Sequence, residues 1–68
     1  MEITVNGEKR TLEGASYSVG DLLAALDIEK TQGLAVAVND RVVTRSKWDE
    51  REVEAGDSVE IIRATQGG

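Results

Sequence analysis

Apolar and polar residues alternate from the first position, Met1, Ile3 and Val5 against Glu2, Thr4 and Asn6. That period of two is the pattern of a strand with one buried face. Asn6-Gly7 ends it. Both residues tolerate positive φ, so the pair predicts a two-residue hairpin turn, with Glu8 to Glu13 returning antiparallel and Leu12 turned inward. After a break at Gly14-Ala15-Ser16 the period lengthens. Val19, Leu22, Leu23 and Leu26 stand at i, i+3, i+4 and i+7 and form one apolar stripe of a helix that begins at Val19. Ser18, three residues before Asp21, provides a capping start for that helix. Gly20 weakens its first turn by up to about 1 kcal/mol relative to Ala, and close packing against the sheet is the expected reason.

The polar stretch from Asp27 to Gly33 predicts a loop, with Ile28 folding back onto the apolar side of the helix. Leu34, Val36 and Val38 then alternate with Ala35 and Ala37, giving a strand apolar on both faces, one side of which carries only small side chains. Asn39-Asp40 predicts a second tight turn into Arg41-Val42-Val43. Ser46 ahead of Lys47-Trp48-Asp49 is compatible with a single capped turn, and Trp48 is read as a plug over the open end of a small core. Ala55-Gly56-Asp57 makes a further turn into the last strand, Ser58 to Ala64. If Val59 and Ile61 of that strand face the helix, Ile62 and Ala64 fall on the same side as Ala35 and Ala37. The helix-free side then carries an apolar patch next to the C-terminus, and contiguous exposed patches mark interfaces. Five short strands and one helix in the order ββαββ(turn)β predict an α+β domain with the helix on one sheet face.

Composition narrows what such a domain does. The 68 residues are read as one domain, 1–68, without Pro, linker or repeat. Zero Cys and zero His remove disulfides, thiolate sites, the commonest metal ligand and the usual near-neutral base. A metal site and a self-sufficient catalytic centre are therefore not expected. A net charge of −5 argues against nucleic acid as a partner. The longest apolar run, Leu34 to Val38, is far short of the roughly 20 residues that cross a bilayer. A cytoplasmic protein without membrane contact is expected. The remaining candidate for chemistry is the C-terminus, where residues from about 65 to 68 are expected to form a flexible arm. Gly67 and Gly68 have no side chain to block a narrow channel and accept almost any φ and ψ, which suits a terminus threaded into the active site of another protein.

Asn6-Gly7, Leu22-Leu23-Ala24-Ala25-Leu26, Ala35-Val36-Ala37-Val38-Asn39, Val42-Val43 with Trp48, Ala55-Gly56-Asp57 with Val59, and a terminal Gly67-Gly68 occur in this order over the whole chain. Together they resemble the bacterial sulfur carrier proteins of thiamin (thiazole) biosynthesis, a family of the ubiquitin-like β-grasp fold. The resemblance implies a mixed five-stranded sheet with one helix on one face, and the first and last strands adjacent and parallel in its middle. It also implies that the chain is a cosubstrate. An α-carboxylic acid loses its proton near pH ~3.5, so at neutral pH it is an ionised carboxylate and a poor electrophile. Gly68 would be adenylated by a separate E1-like enzyme that uses ATP, and a persulfide donor would convert it to a thiocarboxylate. Thiazole synthase or another acceptor enzyme would take the sulfur. This chain itself would bind no cofactor. The resemblance places the chemistry and threading at Gly68, Gly67 and Gln66 and the docking at Ile62, Ala64, Ala35 and Ala37. Thr65-Gln66 is more polar than the apolar pair common before the glycines in this family.

Two relatives of this reading stay open on sequence: a carrier or small subunit for molybdopterin or another sulfur-containing metabolite, and a ubiquitin-like protein modifier. A plain interaction domain with an irrelevant tail is the third class.

Overall fold

Two turns with left-handed backbone fix the hairpins of the chain. Asn6 and Gly7 have φ of 52° and 83°, and Asn39 and Asp40 have φ of 51° and 66°. Positive φ at both central residues is the type I′ geometry, whose twist matches that of paired strands. The computed structural model describes residues 1–63. It contains β1 (Glu2–Val5), β2 (Glu8–Thr11), β3 (Ser16–Ser18), α1 (Val19–Ala25), β4 (Leu34–Val38), β5 (Arg41–Val43), a 3-10 turn (Arg45–Lys47), β6 (Glu52–Glu54) and β7 (Ser58–Arg63).

The main sheet has five strands in the order β2-β1-β7-β4-β5. β1 and β7 run parallel at its centre, in register at Val5 and Val59, and β7 is antiparallel to β4. Helix α1 covers one face, so the architecture is the ubiquitin-like β-grasp that the chain order implies. Ile3, Val5, Val36, Val38, Val43 and Val59 turn to that face and meet Val19, Leu22 and Leu23 of the helix. Each buried aliphatic side chain of this kind stabilises the fold by about 1.5–3 kcal/mol, which a chain without disulfides depends on.

The helix starts and stops where its sequence dictates. The Ser18 hydroxyl accepts from the Asp21 amide at 3.1 Å. At the other end Asp27 takes φ 61°. The Asp27 amide donates to the Ala24 carbonyl at 3.0 Å and the Ile28 amide to the Leu23 carbonyl at 2.9 Å. This is a Schellman motif, and its accompanying apolar contact is Ile28 returning to the core beside Leu23.

Four local expectations change. The return strand β2 ends at Thr11, short of Glu13, with all four residues exposed; Leu12 turns inward as expected, half-buried against the core with its amide donating to the Met1 carbonyl at 2.8 Å, and Gly14 turns the chain away with φ 92°. Ser16–Ser18 and Glu52–Glu54 pair as a separate two-stranded sheet that the sequence did not announce. The single turn before Trp48 begins two residues earlier than expected, at Arg45, and has no side-chain cap, Thr44 being its N-cap. Finally, Gly20 packs against that turn and not the sheet. Its amide donates to the Trp48 carbonyl at 3.1 Å, and a Cβ at Gly20 would lie 2.9 Å from Asp49 Oδ1. Trp48 is the plug expected of it, buried, with Nε1 donating to the Val43 carbonyl at 2.9 Å.

Candidate functional site: the outer sheet face and the last strand

The face of the sheet opposite α1 is assembled from the residues that alternate with the core. In β7 and β4, Ile62 stands opposite Ala35 and Glu60 opposite Ala37. In β4 and β5, Ala37 stands opposite Val42. Residues directly opposite in an antiparallel pair share a face, so Val42, Ala37, Ala35 and Ile62 lie together on the outer side with Glu60 at their border. Val42 is 76% exposed and Ile62 61%, the large apolar side chains most open to solvent among the described residues. The patch is thus two aliphatic side chains rising from a floor of alanines. A partner can approach such a floor closely.

Side-chain hydrogen bonds at three places hold the strand that borders this patch. At its start, Asn39 Oδ1 accepts from the Ser58 amide at 2.9 Å while Asn39 Nδ2 donates to Asp57 Oδ1 at 3.1 Å. Further along, Asn6 Oδ1 accepts from the Ile61 amide at 2.8 Å and Asn6 Nδ2 donates to the Ile61 carbonyl at 3.1 Å. At its end, the Arg63 guanidinium donates to the Lys30 carbonyl at 2.7 Å. The two turn asparagines therefore grip β7 from both neighbouring strands. The chain passes Arg63 from an anchored strand.

Of the residues expected at the site, Ile62, Ala35 and Ala37 come together on one face as their alternation implies. Ala64, Gln66, Gly67 and Gly68 lie outside the described residues. Val42 completes the patch and was missed, since a Val-Val pair in a short strand does not reveal which side chain turns outward until Ala37 fixes the register. The Asn6 side chain was missed too; its signal was the turn itself, which places that amide beside the end of β7. A larger cleft, about 650 Å³, lies on the helix side between α1 and the 3-10 turn, with Leu23, Ile28 and Trp48 in its lining. None of the expected site residues lines it. Arg45 stacks over the Trp48 ring there, 5.1 Å from its centroid. Among the described residues no three His, Cys, Asp or Glu lie together as a metal site, and no helix is long and apolar enough to cross a membrane.

Comparison with known proteins bears on the whole chain. The family model of the ThiS family matches residues 3–68. The sulfur carrier protein ThiS of Escherichia coli (strain K12) is 33% identical over 68 residues, covering 100% of both chains. The crystal structure of the thiamine biosynthesis protein ThiS from Geobacter metallireducens superposes with a TM-score of 0.88 at 38% identity, again over 100% of both chains. The solution structure of the thiamine biosynthesis protein from Geobacter metallireducens gives a TM-score of 0.81 at 38% identity, covering 100% of this chain and 88% of that one. The chain belongs to the ThiS family.

Proposed function

We propose that this protein is a sulfur carrier of thiamin biosynthesis, a cosubstrate whose C-terminal carboxylate on Gly68 is activated and thiolated by partner enzymes and then delivers sulfur for thiazole formation. The observation that carries the reading is the match of this chain, end to end, to a relative named as a sulfur carrier, within a family match that runs through Gly67-Gly68.

The chemistry follows from what a carboxylate lacks. Its ionised oxygens are poor leaving groups, so an adenylating partner joins the Gly68 carboxylate to the α-phosphate of ATP and releases pyrophosphate. The terminal sulfur of a persulfide then attacks the acyl carbon, and AMP departs. Cleavage of the resulting sulfur–sulfur bond by a thiol, which is itself oxidised to a disulfide, leaves the thiocarboxylate on Gly68. The carrier contributes no general base and no nucleophilic side chain. With zero Cys, it also offers no internal thiol to capture the activated acyl group.

The fold's part is presentation. The patch of Ala35, Ala37, Val42 and Ile62 docks on the activating enzyme and on thiazole synthase, while Gln66 and Gly67 thread the arm. A strand fixed at Ser58, Ile61 and Arg63 gives the arm a defined origin, so docking energy is not lost in ordering the strand. The test is ATP–pyrophosphate exchange with the purified adenylating enzyme. Exchange should require this chain and cease when one residue is added after Gly68. Undiminished exchange with the extended chain would contradict adenylation at Gly68.

A further inference from the structure

Strand β5 is an edge of the main sheet, and its backbone is open at one place. The Val38–Arg41 pair closes the two-residue turn and Val36 pairs with Val43. Hydrogen-bonded and non-hydrogen-bonded pairs alternate in an antiparallel ladder. The Ala37–Val42 pair is consequently the non-bonded one, and the N–H and C=O of Val42 point away from β4. The next outward carbonyl, that of Thr44, already accepts from the Lys47 amide at 2.8 Å. Beside this opening is a groove of about 430 Å³ whose lining includes Val42, Val43, Arg41, Lys47 and Arg51.

The charge around the groove runs against that of the molecule. The chain carries −5 overall, yet the groove is lined by Arg41, Lys47 and Arg51 against a single acid, Glu50. Glu50 sits 3.4 Å from Lys47, but both side chains are about two-thirds exposed, and a pair so solvated contributes little. Among the described residues no ion pair engages Arg41 or Arg51.

We propose that this edge accepts an extended acidic segment of a partner protein, added as a strand beside β5. The Val42 N–H and C=O would supply two main-chain hydrogen bonds, its side chain an apolar contact, and Arg41, Lys47 and Arg51 the selection for carboxylates. Strand addition at an exposed edge draws affinity from the backbone and specificity from side chains. A second copy of this chain is disfavoured as occupant, because its own edge would bring the same cations into contact; basic residues on an edge prevent self-pairing. The proposal does not depend on the sulfur-carrier reading.

The experiment titrates the ¹⁵N-labelled full chain with an eight-residue peptide of alternating glutamate and valine. Parallel titrations use the lysine–valine counterpart, phosphatidylglycerol vesicles and pyrophosphate. The acidic peptide should shift amides from Arg41 to Thr44 together with Lys47 and Arg51, most strongly the Val42 amide as it gains an acceptor. Binding should weaken about tenfold in the Arg41→Glu, Lys47→Glu variant and fall with added salt, as rim charges do. Circular dichroism of the variant should match the parent, since both side chains are exposed. No shift at Val42, an equal response to the basic peptide, or full reproduction of the effect by pyrophosphate or vesicles overturns the proposal.

Discussion

The side-chain amide of Asn6 grips the main chain of Ile61, accepting from its N–H at 2.8 Å and donating to its carbonyl at 3.1 Å. The parallel pairing of β1 with β7 is in register at Val5 and Val59. The Asn6 side chain extends it by imitating the next peptide unit, at the point where β1 has already turned away. The residue that satisfies the positive φ of the turn thus also fixes the strand bearing Ile62.

Asn6→Gly keeps the left-handed turn and removes only the grip. Two solvent-accessible hydrogen bonds at about 0.5–1.5 kcal/mol each predict a loss of about 1–3 kcal/mol in urea unfolding. The Ile61 amide should also exchange with solvent much faster. Unchanged exchange at Ile61 would show that the contact carries no weight in holding β7.

Leu23 joins the core to the end of the helix, buried on the inner stripe of α1 and bonded through its carbonyl to the Ile28 amide. Leu23→Ala should destabilise by about 2–5 kcal/mol, a large share of the stability of a domain this small. Chemical denaturation monitored by Trp48 fluorescence measures it. A loss below about 1 kcal/mol would remove Leu23 from the core.

Much of this geometry was legible because it is local. Asn6-Gly7 and Asn39-Asp40 state their turns through the φ they permit, and the alternation of β4 and β7 put Ile62 and Ala35 on a common face before any register was known. What stayed hidden depends on contacts distant in the chain. β3 and β6 are short and mostly polar, and they pair Ser16 with Glu54 across the whole middle of the chain, so neither carries a strand signal of its own. Gly20 has its reason in the Trp48 carbonyl and the Asp49 side chain, residues no window around the helix contains. The expected arm from about 65 to 68 lies outside the described residues, so its role rests on chemistry and kinship.

Ile62→Asp tests the docking face. Ile62 is exposed, so the variant should keep its circular dichroism spectrum and unfolding midpoint. Its affinity for the adenylating enzyme should fall, because the new carboxylate would be buried without a partner in the complex. Unfolding would place Ile62 in the core, and undiminished affinity measured by titration calorimetry would exclude the outer face as the docking surface.

The central claim concerns one atom of the terminal carboxylate of Gly68. After incubation with the adenylating enzyme, ATP and a persulfide donor, intact-mass measurement should show the replacement of one oxygen by sulfur. Fragmentation should place the change on the C-terminal peptide, which separates it from oxidation of Met1, a modification of nearly equal mass. Gly67→Val should impair the conversion and a residue added after Gly68 should abolish it. Sulfur acquired normally by the extended chain, or a mass change confined to the Met1 fragment, would contradict the account.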